Sequence, residues 1–118
     1  MNIDGEGVKG EQRAVEYLLA EGYNVLDRNV EYARRGEIDI VCERRGVLVF
    51  VEVKSRSSND YGEAVEAVDR AKRRKLLRAA EAYLSEHDIK DKDIRFDVIT
   101  VKNDVVEHIP NAFYGYWN

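Results

Sequence analysis

Apolar residues recur along this chain in two rhythms, one helical and one alternating, and the switches between them mark the elements. From about Lys9 to Glu21, residues Ala14, Val15, Leu18 and Leu19 return at helical spacing, and Gly22 follows as a stop. This predicts a first helix. "YNVLDRNVEY", Tyr23 to Tyr32, reads as an extended strand, with Arg34, Arg35 and Gly36 turning the chain after it. "GEIDIVCERRGVLVFVEVKSR", Gly36 to Arg56, reads as a hairpin with Arg44 and Arg45 as a two-residue loop pairing Glu43 with Gly46. A four-residue loop, Glu43 to Gly46, gives the same register. From Asp69, a suitable N-cap, to about Glu86, the stripe Leu76, Ala79, Ala80 and Tyr83 predicts a second helix. "IRFDVITV" (Ile94 to Val101) and "VVEHI" (Val105 to Ile109) are β-rich runs around a turn at Lys102, Asn103 and Asp104. Helix, three strands, helix and one or two strands make an α/β or α+β layered domain.

The hairpin carries charge where a buried sheet should not. In its second strand Val47, Val49, Val51 and Val53 share one face, while Leu48, Phe50, Glu52 and Lys54 share the other. Both faces begin apolar, so the strand is central. In the first strand Glu37, Asp39 and Val41 share a face, and the predicted register sets Asp39 opposite Phe50. Asp39 is then diagonal to Glu52, with β-carbons about 7 to 8 Å apart. An ionised group in a packed interior costs several kcal/mol unless it is paired or bound to a metal. Two carboxylates reaching inward from there suit one Mg²⁺ or Mn²⁺, with Lys54 as a positive group beside it. Glu11, four residues before Val15 and seven before Leu18, lies on the inward stripe of the first helix and is a third acid for the same place. Lys72, four residues before Leu76, leans toward the sheet from the second helix. An ion pair at a strand end accounts for Asp39, Glu52 and Lys54 without any metal, and an acid in a helix's first turns is favoured by the dipole alone.

Charge distribution extends this picture to a partner. The 118 residues are 44% hydrophobic and 36% charged, the balance of a soluble globular protein, and no repeat, linker or low-complexity stretch divides them. One domain spanning 1–118 is expected. The net charge of −4 argues against nucleic acid, but residues 34–78 hold 12 basic and 8 acidic side chains between two acidic flanks. Phosphate responds to the local field rather than the sum. The run "RAKRRK", with Arg70, Lys72, Arg73, Arg74 and Lys75, together with Arg34, Arg35 and Arg56 in loops, is the candidate nucleic-acid surface. A solvated helix face is the plain alternative. Cys42 is expected to be a buried free thiol, and the acidic N-terminus holds neither a signal sequence nor a membrane span, so a cytoplasmic protein with no membrane partner is expected. His87 and His108 fit no nucleophile or zinc pattern and read as structural or exposed. Asp97 reads as a partner for Arg95 or a neighbouring strand. The aromatic tail "NAFYGYWN" reads as docking on its own core, or as a surface for stacking bases.

"EID" at Glu37 to Asp39 followed by "VEVK" at Val51 to Lys54 resembles the PD-(D/E)xK nuclease superfamily. More narrowly, "GVKGEQRAVEYLLAEGYNVLDRNV", "GEIDIV", "LVFVEVKSR", the helix around Lys72 and "RFDVITV…HIPNAF" resemble the small bacterial YraN-like family, related to archaeal Holliday-junction resolvases. The resemblance covers nearly the whole chain. It implies a restriction-endonuclease-like core with a mixed central sheet flanked by helices. It also implies metal ligands at Asp39 and Glu52, a catalytic lysine at Lys54 and an accessory helix acid at Glu11. Ile38 stands where the superfamily usually has a proline. The expected activity is metal-dependent hydrolysis of phosphodiesters, in DNA more than RNA, with branched substrates included. A non-catalytic nucleic-acid-binding or assembly module on the same fold is the alternative. Cutting both strands of a junction would suit a symmetric dimer.

Overall fold

The computed structural model of this protein describes residues 5–55 and 70–112, with backbone alone at 5–8 and 70. Its elements are α1 (Gly5–Ala20), β1 (Asn24–Tyr32), β2 (Gly36–Arg44), β3 (Val47–Ser55), α2 (Arg70–Glu86), β4 (Asp93–Lys102) and β5 (Val105–Ile109). The strands form one mixed sheet in the order β1-β2-β3-β4-β5. Only the β3/β4 pairing in it is parallel. Valines at odd positions of β3 pack with Ala14, Val15 and Leu18 of α1. Leu48 and Phe50 pack with Leu76, Ala79, Ala80 and Tyr83 of α2. The helices therefore cover opposite faces, and β3 is buried between them as its two apolar faces require.

Helix α1 starts about one turn before the predicted Lys9 and ends within one residue of the predicted Glu21. Gly22 takes a left-handed φ of 88°. Tyr23 N–H then reaches Leu18 O at 2.9 Å and Gly22 N–H reaches Leu19 O at 3.1 Å, satisfying the last carbonyls of the helix. Leu19 is a correction: it is 54% exposed, because the 100° step from buried Leu18 carries it off the inward stripe. The predicted N-cap of α2, Asp69, lies outside the described residues, as do Arg56, the Arg70 side chain and residues 113–118 of the aromatic tail.

The hairpin loop sits one residue later than expected. Arg45 and Gly46 form it, with φ of 53° and 81°, and Arg44 pairs with Val47. A type I′ hairpin turn needs positive φ at both central positions, which glycine supplies without strain at the second. Continued past Ile40↔Val51, the last pair of the β2/β3 ladder, this register sets Asp39 against Glu52 rather than Phe50. A shift of two places keeps the parity.

Asp39 itself breaks the alternation of β2. Ile38 packs in the α2 layer, whereas Ile40, two residues on, packs in the α1 layer. The expected single face for Glu37, Asp39 and Val41 is thus interrupted at its middle residue. Across the sheet Asn29, the residue that the β1/β2 register would pair with Asp39, has a φ of 52°, and both drop out of the ladder. Val30 accordingly packs in the α2 layer, whereas Arg28 reaches the α1 side. Such an irregularity re-aims side chains, and in this fold it does so where the charges gather.

Candidate functional site

Glu52 and Lys54 stand on the α2 face of β3 where the apolar lining ends, with side chains only 13% and 14% exposed. Lys54 Nζ lies 3.3 Å from Glu52 Oε2. A second ammonium reaches the same oxygen from α2: Lys72 Nζ, at 3.6 Å, on a side chain 47% exposed. Asp39 enters from β2, and its Oδ2 accepts the Val53 N–H at 2.8 Å, taking up a donor that the ended β2/β3 ladder no longer serves. The four groups therefore converge from three elements.

Electrostatics agrees with that convergence. Burial, then the negative charge of Glu52, push the Asp39 carboxyl from 3.8 up to about 7, against the Val53 hydrogen bond, which favours the charged form. Burial, followed by the hydrogen bond with Lys72, pulls Lys54 below the usual lysine range. Lys72 is held above it, first by that hydrogen bond with Lys54. Asp39 beside Glu52 is thus a pair of oxygen donors in which Asp39 is reluctant to ionise without a further positive charge nearby. Mg²⁺ or Mn²⁺ fits such a set, since hard cations of this size need only one or two carboxylates and complete their shell with water and phosphate. Asp39 and Glu52 are the groups that would hold it. Among the described residues no cluster of three or more His, Cys, Asp or Glu side chains forms a fuller cage.

Glu11 faces the sheet, as its place on the stripe predicts, but β1 holds it. Its Oε2 accepts from Arg28 Nε and from Asn29 Nδ2, both at 3.0 Å. Its charge still contributes to raising Asp39. Gly10, beside it, sets the depth of the helix: a Cβ there would fall 2.4 Å from Ser55 Oγ and 2.9 Å from Ser55 Cβ. Only glycine lets the start of α1 close on the end of β3.

The basic residues form a rim rather than a lining. Arg34 and Arg35 are exposed in the β1–β2 turn, and Lys72, Arg74 and Lys75 are exposed on the first turns of α2, with Arg73 half-buried. Gly36, at a φ of 111°, joins the two groups, because a Cβ there would sit 3.1 Å from the carbonyl oxygen of Lys75. The turn is therefore docked directly on α2. Glu31 and Glu37 share the open groove with Arg34, so positive charge does not fill this side uniformly.

Spacing placed Lys72 on the inward side but gave no sign of two further features. One is that it shares a single oxygen of Glu52 with Lys54. The other is Thr100, wholly buried and in register with Lys54, whose Oγ1 has no hydrogen-bond partner among the described residues.

A separate polar cluster lies on the α1 side. Asp97 is fully buried and accepts from Arg95 at 2.8 and 2.7 Å, from His108 at 2.6 Å and from Asn111 N–H at 3.1 Å. Burial pushes its carboxyl up, but the bonds from His108 and Arg95 outweigh that and hold it below its ordinary value. His108 also meets Tyr17 Oη at 3.0 Å. The predicted Asp97–Arg95 pairing and a structural His108 are both present. His87 is exposed and stacks on Tyr83. Cys42 is a buried free thiol.

Among the described residues no helix is long and apolar enough to cross a membrane. The sequence model of the "Uncharacterised protein family UPF0102" matches residues 10–101, a span that contains Glu11, Asp39, Glu52, Lys54 and Lys72. A UPF0102 protein of Persephonella marina is 47% identical over 108 residues, covering 92% of each chain. One from Symbiobacterium thermophilum is 48% identical over 96 residues, covering 81% of this chain and 80% of its own. One from Chlorobium phaeobacteroides is 43% identical over 117 residues, covering 91% and 92%. With α2, the first four strands but for the last residue of β4, most of α1 and the acidic site inside one matched span, the chain belongs to UPF0102, the YraN-like family its segments resemble.

Proposed function

We propose that this protein is a divalent-metal-dependent nuclease with a restriction-endonuclease-like core, hydrolysing phosphodiester bonds in DNA in preference to RNA. The observation that carries the reading is the convergence of Asp39, Glu52 and Lys54 at an irregularity in an otherwise apolar sheet, with Asp39 pushed up to about 7. An acid that burial, and then a neighbouring carboxylate, keep from ionising is destabilising to the fold and is expected where charge serves a reaction.

Asp39 and Glu52 would hold Mg²⁺ or Mn²⁺, which when bound polarises a phosphoryl oxygen and acidifies a coordinated water. Lys54 supplies the third function. Its Nζ, lowered by burial and by Lys72, would orient the attacking water or bear on the charge that develops at phosphorus. Glu11, braced by Arg28 and Asn29, adds negative field on the helix side. Arg34, Arg35, Arg74 and Lys75 line the rim, where they would contact backbone phosphates and fix register without reading bases.

The test is incubation of wild type and Asp39→Ala with duplex, single-stranded, flap and four-way-junction DNA, and matching RNA, with Mn²⁺ or EDTA. Metal-dependent cutting by wild type alone supports the reading. Equal activity in both proteins points to contamination or another site. Binding without cutting, weakening steeply with salt, would instead identify a nucleic-acid-binding module.

A further inference from the structure

Glu52 Oε2 has lysine nitrogens from two elements against it, at 3.3 and 3.6 Å. Their circumstances differ. Lys54 is enclosed on β3, two residues from its partner, whereas Lys72 projects from α2 with nearly half of its side chain in solvent. A half-exposed lysine is fully hydrated elsewhere and gives up rotamer freedom to stay in one place. What keeps it is the hydrogen bond with Lys54 together with the negative field of Glu52 and Asp39, and all three favour its charged form.

A divalent ion is drawn by the same field to the same oxygens. It would stand within a few ångströms of the ammonium, where two positive charges repel. With Lys54 fixed beside it on β3, the Glu52 carboxylate cannot keep both Lys72 and a dication as further counter-charges. We infer that Lys72 is an exchangeable counter-ion, which neutralises Glu52 while no divalent cation is bound and is displaced toward the phosphate backbone of the substrate when one binds. This rests on the metal site proposed above. Because linkage is reciprocal, substrate phosphate that draws Lys72 outward also opens Glu52 to metal, so the two ligands assist each other's binding.

The experiment is Mn²⁺ titration followed by the electron paramagnetic resonance signal of the free ion. It uses wild type, Lys72→Met, Lys72→Arg and Asp39→Asn, without nucleic acid. Loss of the competing charge should tighten Mn²⁺ binding by Lys72→Met about five- to tenfold, the worth of a unit charge at this distance in a water-like dielectric. Lys72→Arg should stay within about twofold of wild type on the same reasoning. Equal or weaker binding by Lys72→Met overturns the inference, as does equal tightening in Lys72→Arg, which would assign the effect to loss of the lysine's particular contacts rather than of its charge. If wild type binds Mn²⁺, Asp39→Asn loses it and Lys72→Met gains nothing, the metal site stands and the counter-ion role falls. Absence of Mn²⁺ binding in wild type and Lys72→Met alike overturns both.

Discussion

Replacing Asp39 with asparagine should stabilise the fold, by an amount that depends on pH. The folded protein keeps a proton on Asp39 up to about 7, whereas the ordinary carboxyl loses it near 3.8. The proton-linked stabilisation is therefore whole below about 3.8 and is lost as pH rises through about 7. The interval corresponds to at most about 4 kcal/mol at 1.36 kcal/mol per tenfold step. Asparagine is never ionised, and its amide oxygen can still accept the Val53 N–H. Urea denaturation of both proteins from pH 4 to 8 should show Asp39→Asn ahead by about 2 to 4 kcal/mol at pH 8, with the gap closing toward pH 4. Adding Mn²⁺ at pH 8 should narrow the gap, because it stabilises wild type alone. A gap independent of pH, or wild type the more stable at pH 8, would refute the claim that Asp39 is buried against Glu52.

Three further outcomes are expected. Asp97→Ala strands Arg95 and His108 beside a buried void, and should lower unfolding free energy by about 3 kcal/mol or more in the same denaturation assay; a loss under 1 kcal/mol would contradict the network. Thr100→Val removes a hydroxyl with no described partner while keeping its shape, and should raise stability by about 1 kcal/mol, read as a higher melting temperature; a clear drop would mean the hydroxyl is satisfied. Gly10→Ala gains helix propensity of about 1 kcal/mol but drives a methyl into Ser55. Its net effect should be a destabilisation of about 1 to 2 kcal/mol. Hydrogen exchange should show it concentrated in α1 and the end of β3.

Most of the architecture was legible because burial imposes period. The valines of β3 and the stripe Leu76, Ala79, Ala80 and Tyr83 pack as their spacing requires, and β5 has the predicted bounds. Legibility ended where a local choice did not change the period. A hairpin loop displaced by one residue alters which side chains face each other but not which are buried, so Asp39 met Glu52 by a register the pattern could not fix. The kink at Asn29 and Asp39 was invisible for a related reason: Ile38 and Ile40 are both wholly buried, one in each layer, and their identities do not tell the layers apart. Lys72 was expected on the inward side by spacing alone, but its contact with Glu52 depends on where α2 crosses the sheet, which the Gly36–Lys75 approach helps to set.

The interrupted ladder also matters for colloidal behaviour. Strand β1 is an outermost strand, nine residues long, a length that could template a neighbouring chain. A register slip near Val25 and the left-handed Asn29 break its row of donors and acceptors into short pieces. The deformation that delivers Asp39 to its place therefore also guards the molecule against growing into ribbons, and a variant that straightened it would lose both properties together.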